Sequence, residues 1–252
     1  VTKFLPRDWG LDRRLDTMTP DGETERIEFR YNDLAALPDP AGPVPDPTKI
    51  STDSSRTNWR YRNVYYWDKK AFAQDPTDTS LAYLYHWLHR DFSYTSDALE
   101  SMKAPMEDSR TFYNYIGQTN ALFQGTRHLP TKIARVLDGG ITQVVEYAYN
   151  SLGNVTKMVT PGDGTIPSRT TTYQYGANGV DLLAIYQQRA GGQSTDPFAQ
   201  NADKLVSYTY NAQHLPLTIT DAAGETTTFT YNSFGQIKTV TNALNQTSTL
   251  AY

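Results

Sequence analysis

The residues able to do chemistry are few, and their spacing suits no common reaction. His86-Trp87-Leu88-His89 places two imidazoles three apart. On a helix they would share a side and reach one metal; on a strand they would point to opposite faces. The flanking Tyr83, Tyr85 and Trp87 favour a strand, and a metal centre needs three or four ligands. No carboxylate stands at a suitable spacing, so the pair is read as structural. His128 and His214 stand alone, His214 in a turn. Glu107-Asp108 are adjacent carboxylates and read as an exposed loop; the separation of a glycosidase pair is spatial. No Gly-x-Ser-x-Gly elbow, glycine-rich phosphate loop or calcium-loop spacing occurs. With 0 Cys there is no thiol nucleophile, thiolate metal site or disulfide framework. The sequence predicts no catalytic residue, no metal, no cofactor and no enzyme.

A repeat dominates instead. Tyr210-Asn211, Tyr231-Asn232 and Tyr252 stand 21 residues apart, and the intervening segments match slot for slot. Ile219-Thr220 answers to Val240-Thr241, and Thr226-Thr227-Thr228-Phe229 to Thr247-Ser248-Thr249-Leu250. A fixed period of this length marks a chain built from one small stacked unit. Upstream, Tyr-Asn recurs at Tyr31-Asn32, Tyr113-Asn114 and Tyr149-Asn150, and Trp9-Gly10 fills the same slot. Four residues after the aromatic comes a turn glycine: Gly117, Gly153, Gly179 (after Tyr175) and Gly235. Arg13 and His214 depart from that slot, and Pro216 from the apolar slot that follows. Two apolar residues three apart come next, as in Val155/Met158 and Ile237/Val240. A polar turn follows, such as Asp138-Gly139-Gly140, Asp163-Gly164 or Asp221-Ala222-Ala223-Gly224.

Such a unit is a β-hairpin. Gly and Asn tolerate positive φ and mark tight turns, while the runs between them are β-branched and aromatic. Aromatics fall two apart at Phe29/Tyr31, Tyr147/Tyr149, Tyr173/Tyr175, Tyr208/Tyr210 and Phe229/Tyr231. Residues i and i+2 of a strand share a face, so stacked hairpins would line these pairs into a ladder. The spacing of three between Ile237 and Val240 breaks alternation, and a bulge would return both to one face. The structural positions singled out are Tyr149, Tyr175, Tyr210 and Tyr231, with Gly153, Gly179 and Gly235.

The pattern Tyr-Asn-x-x-Gly, two apolar residues, Thr, turn, Thr-Thr-x-x-x-Tyr resembles the YD repeat of RHS/YD-repeat proteins, with Asn in place of the usual Asp. Residues 127–252 fit well and 5–33 moderately, whereas 34–112 are out of register. The resemblance implies a β-sheet of hairpins spiralling into a hollow shell that encloses or displays another polypeptide, as in bacterial toxin cocoons and the teneurin barrel. Asp39-Pro40-Ala41-Gly42 is similar to the self-cleavage site that ends the core of toxin-class members. Here it precedes further repeats and reads as a loop.

The residues alone predict an all-β chain of antiparallel hairpins forming one continuous array over 1–252. It is interrupted by a proline-rich loop at 34–48 and a polar loop at 187–204. A short helix is expected within 95–109, capped by Ser96 and ended by Pro105. Net charge −4 gives no electrostatic reason to bind nucleic acid, and no apolar run approaches a membrane span. The chain reads as a slice of a longer polypeptide, secreted or at a bacterial cell surface. Its expected partners are neighbouring repeats, an enclosed toxin polypeptide or surface carbohydrate. The competing reading is an extracellular fibre or adhesin. Asn154-Val155-Thr156 and Asn245-Gln246-Thr247 match the glycosylation sequon, a chance match in a repeat rich in Asn and Thr.

Overall fold

A computed structural model describes residues 3–9, 12–30, 63–91, 94–107, 110–119, 123–136, 142–160, 162, 167–188 and 202–252. Tyr31-Asn32, the 34–48 insert with Asp39-Pro40-Ala41-Gly42, Asp108, Asp138-Gly139-Gly140 and Asp163-Gly164 lie outside them, as does most of the 187–204 insert. The chain divides into two compact units, residues 1–144 and 145–252.

The first unit is an antiparallel meander of β1 (Lys3–Trp9), β2 (Asp12–Met18), β3 (Thr24–Arg30), β4 (Asn63–Trp67), β5 (Tyr83–His89), β6 (Thr95–Lys103), β7 (Thr111–Tyr115) and β8 (Pro130–Val136). Each strand pairs with the next. Alternation along β4 and β5 divides their residues between two faces. Asn63, Tyr65 and Trp67, with Leu84, His86 and Leu88, are buried. Tyr66, Tyr83, Tyr85 and Trp87 stand half-exposed on the other side, with successive ring centroids 6.1 to 6.3 Å apart.

The segment between β4 and β5 covers the first face. Asp68 caps α1 (Lys69–Gln74) by accepting from the Ala71 backbone N–H at 2.8 Å. Ala71 and Phe72 then pack on Tyr65, Trp67, Leu81, Ala82 and Leu84. Arg26 is held within this layer: it donates to Asp16 Oδ1 and to the Pro76 carbonyl, both at 2.8 Å, and its guanidinium lies 4.8 Å from the Phe72 ring centroid.

Residues 95–103 form β6, not the expected helix. Pairing with both β5 and β7 gives this backbone hydrogen bonds on its two edges, outweighing a weak helical preference. Ser96 Oγ accepts from the Ala98 N–H within the strand instead of capping a helix. Pro105 and Met106 form a turn after it.

The second unit continues from β9 (Thr142–Tyr149, which straddles the division) through β10 (Val155–Thr160), β11 (Arg169–Tyr175), β12 (Leu182–Gln188), β13 (Ala202–Tyr210), β14 (Pro216–Asp221), β15 (Thr226–Tyr231), β16 (Ile237–Thr241) and β17 (Thr247–Thr249). Each strand again pairs antiparallel with its successor. Gln187, Gln188 and Ala202–Lys204 belong to strands at the two ends of the expected loop.

One turn type is used at both ends of the strands. Asn150, Asn211, Asp221, Asn232 and Asn242 each accept, through Oδ1, the backbone N–H groups two and four residues on. The residue three on takes positive φ: Gly153, His214, Gly224, Gly235 and Asn245. The unit therefore contains two copies of one turn, where the sequence suggested two different ones. On one face of β13–β17, threonine hydroxyls pair across strands: Thr209 with Thr218 at 2.7 Å, Thr220 with Thr226 at 2.9 Å, Thr230 with Thr239 at 2.6 Å and Thr241 with Thr247 at 2.8 Å.

Candidate functional site

Each repeat tyrosine closes its strand at a register step. Tyr149 stands opposite Val155, Tyr175 opposite Leu182, Tyr210 opposite Pro216 and Tyr231 opposite Ile237. In each case the strand that follows carries one extra residue beside the tyrosine, a bulge, and Tyr115 opposite Pro130 shows the same step. Phe229 faces Val240 while Tyr231 faces Ile237, so the bulge brings Ile237 and Val240 to the face shared by the two rings.

The hydroxyls then link one unit to the one before. Tyr210 donates to the Leu182 carbonyl at 3.0 Å, Tyr231 to Pro216 at 2.6 Å and Tyr252 to Ile237 at 3.1 Å. Leu182, Pro216 and Ile237 are the residues that face Tyr175, Tyr210 and Tyr231. Each of these three tyrosines therefore latches onto the backbone beside the preceding tyrosine. Within strands, Tyr147 and Tyr149 have ring centroids 6.4 Å apart, and Tyr208 and Tyr210 6.5 Å. Burial pushes the Tyr210 phenol above its usual pKa, aided by the Asp181 carboxylate and Tyr208.

The turn residues interlock too. Gly153, Gly179 and Gly235 have φ of 93°, 69° and 77°, values at which a side chain is strained. Asn150 and Asn154 both donate through Nδ2 to the Gly179 carbonyl at 2.8 Å, tying two turns together. In the glycine slot at 214, His214 has φ 61° and its Nδ1 lies 3.0 Å from both oxygens of Asp181. Of the two sequons, Asn154 has its amide engaged in this way, while Asn245 sits exposed in its turn.

A second arrangement, absent from the sequence reading, lies on the buried face of the first unit. Asn63, His86 and Ser101 stand opposite one another on β4, β5 and β6. A register shift at Trp87, which faces Leu99, leaves Glu100 as the extra residue, and Glu100 and Ser101 are both buried. His86 Nδ1 lies 2.8 Å from Asn63 Oδ1, and its Nε2 lies 3.0 Å from Glu100 Oε2. Arg110, 1% exposed, donates from Nη1 to Ser101 Oγ at 3.2 Å. Burial pulls the Arg110 guanidinium down to about 10, against the neighbouring Tyr65 and Glu100.

The two histidines of His86-Trp87-Leu88-His89 therefore part company. His86 is a buried, hydrogen-bonding group of the core. His89 lies on the opposite face, with Nδ1 3.1 Å from the Asp91 carbonyl. His128 meets Asp97 at 3.3 Å, and Glu107 pairs with Arg135 at 2.9 Å. Among the described residues no group of three or more His, Cys, Asp or Glu could hold a metal ion, and no helix is long and apolar enough to cross a membrane.

The profile of the RHS Repeat family matches residues 210–247, the stretch in which Tyr210 and Tyr231 make their latches. These residues are an RHS repeat. No curated protein matches it in sequence. Solved structures align over most of its length. TcdB2-TccC3-TEV does so with a TM-score of 0.46 and 14% identity, over 90% of this chain and 11% of that one. TcdB2-TccC3 without its hypervariable C-terminal region gives 0.44 and 13%, over 91% and 11%. TcdB2-TccC3-Cdc42 gives 0.40 and 10%, over 94% and 14%. The chain spans about a tenth of the length of the chains in these structures.

Proposed function

We propose that this chain is a non-catalytic wall segment of a bacterial secreted or cell-surface RHS/YD-repeat protein, and that its sheet encloses or displays another polypeptide. The observation that supports this most is the lack, among the described residues, of a second layer over the repeats. No residue of β13–β17 is buried, although Val206, Tyr208, Ile219, Phe229, Tyr231 and Val240 share one face by register. A sheet with one apolar face gains stability by burying it against something, and an enclosed or displayed polypeptide supplies that cover. The half-exposed row Tyr66, Tyr83, Tyr85 and Trp87 supports the same reading in the first unit.

The aromatic row also suits the alternative, an extracellular fibre or adhesin that binds surface carbohydrate, since sugar rings stack on aromatic faces. Electron microscopy of the full-length protein separates the two. Closed particles whose contents resist protease until the wall is breached support the wall. Extended strands that adhere to glycan, with no protected contents, sink it and establish the fibre.

A further inference from the structure

Among the described residues, one pair of tyrosines stands directly opposite across two strands. Tyr66 on β4 faces Tyr83 on β5. Both are half-exposed, with ring centroids 6.1 Å apart and planes inclined at 30°. The Tyr66 hydroxyl also donates a hydrogen bond to the Glu25 carboxylate. Burial, then the Glu25 and Asp68 carboxylates, pushes the Tyr66 phenol above its usual pKa. Its proton therefore stays in place at neutral pH, with an acceptor at hand. A phenol that loses an electron becomes a strong acid, so the phenol whose proton has a base to go to is the most easily oxidised of a set. Tyr83, Tyr85 and Trp87 continue the row with successive centroids 6.3 Å apart. An electron vacancy formed on any of them passes along the row and settles at Tyr66, beside a second phenol.

From this arrangement we infer that Tyr66 and Tyr83 are a site of oxidative cross-linking, at which a one-electron oxidant joins the two rings. Two equivalents of oxidant take one electron from each phenol. The Tyr66 proton passes to Glu25 and on to water, and the Tyr83 proton to water. A tilt of the half-exposed rings brings one Cε of each together, and the two phenoxyl radicals pair there in a carbon–carbon bond. The hydrogen on each joined carbon then moves to its phenolic oxygen, which restores both aromatic rings. The net change is the loss of two electrons and two protons. The bond closes the loop from 66 to 83, which carries α1, Leu81 and Ala82. Closing a loop restricts the unfolded chain, so the cross-link hardens the cover of the first unit. The reaction needs only a small oxidant to reach the row, and it stands whether the sheet encloses a polypeptide or extends as a fibre.

The test is photo-oxidation of the intact chain, dilute and at neutral pH, with tris(bipyridyl)ruthenium and persulfate, followed by tryptic mapping. Cleavage after Arg62, Lys70 and Arg90 puts Tyr66 on the peptide 63–70 and Tyr83 on the peptide 71–90. These two peptides should appear joined, lighter than their sum by two hydrogens, in a chain of monomer mass that shows dityrosine fluorescence. Fragmentation should place the bond between Tyr66 and Tyr83. The cross-linked chain should melt at a higher temperature than the untreated one. Tyr66→Phe and Tyr83→Phe, which remove only a hydroxyl, should each abolish the joined product. In Tyr66→Phe the oxidation should move along the row and add oxygen to Tyr85 and Trp87. Glu25→Gln should lower the yield several-fold, because an amide accepts the hydrogen bond without taking up the proton. No joined peptide from the folded wild type, a bond at Tyr65 or Tyr85 instead, or equal yield in wild type and Glu25→Gln overturns the inference.

Discussion

Tyr231 can be dissected into ring and hydroxyl. Tyr231→Phe removes only the bond to the Pro216 carbonyl and should cost about 1 kcal/mol. Tyr231→Ala also removes the ring and should cost about 3 kcal/mol. Urea unfolding measures both, and a Phe variant as stable as wild type would show that the latch adds nothing. His86→Ala should cost about 3 kcal/mol or more, because it removes one buried polar partner from each of Asn63 and Glu100 and leaves a cavity. His89→Ala, on the half-exposed face, should stay within about 0.5 kcal/mol. The tyrosines were legible because their period is written in the sequence. The fate of His86 was not. Alternation places His86 and His89 on opposite faces, but which face is covered depends on α1 and on a bulge at Glu100, neither of which the sequence pattern specifies.

At the level of the element, the shared turn makes a discriminating pair of substitutions. A β-carbon at Gly224 would meet nothing within 4 Å, and one at Gly235 would reach Leu215 Cδ1 at 3.5 Å, an ordinary contact. Gly224→Ala and Gly235→Ala should therefore cost the same, about 1–2 kcal/mol of left-handed backbone strain. A much larger loss at Gly235 alone would point to packing instead. In the slot at 214, His214→Gly relieves that strain but removes the partner of Asp181. The His214 hydrogen bond, then Asn178, holds the Asp181 carboxyl below its ordinary 3.8. A folded pKa below the unfolded one gives stability that is present above 3.8 and lost as pH falls through the lower folded value. Melting temperature followed into acid should thus fall less steeply for His214→Gly than for wild type, and parallel curves would rule out the pair. The hairpin itself was readable from Tyr-Asn-x-x-Gly. The strand at 95–103 was not, because Ser96, Leu99 and Met102 have helical spacing and only pairing with β5 and β7 overrides it.

Across the whole chain, regularity of sequence and density of core run in opposite directions. The repeat is cleanest in residues 205–252, where no side chain is buried. It is least regular in residues 34–112, and that stretch holds Tyr65, Trp67, Leu81, Ala82, Leu84, Leu88 and Ala98, most of the buried apolar residues. The physical reason is that a repeated hairpin needs only its neighbour: ladder bonds, threonine pairs and tyrosine latches all act between adjacent units. A two-layer core needs residues that do not recur, such as the α1 segment that covers β4 and β5. Stability should follow the same division. Backbone amides of β4–β6 should exchange with solvent only on large-scale opening, while β14–β17 should exchange through local opening of single hairpins. Hydrogen-exchange mass spectrometry of the intact chain should show protection falling from β4–β6 toward β17. Tyr231→Phe should accelerate exchange in β14 and β15 and leave β4–β6 untouched, because the latch it removes joins only those two strands. Uniform protection from β4 to β17, or an effect of Tyr231→Phe that reaches the first unit, would mean that the chain opens as one cooperative body. The nearest-neighbour account of the repeats would then fail.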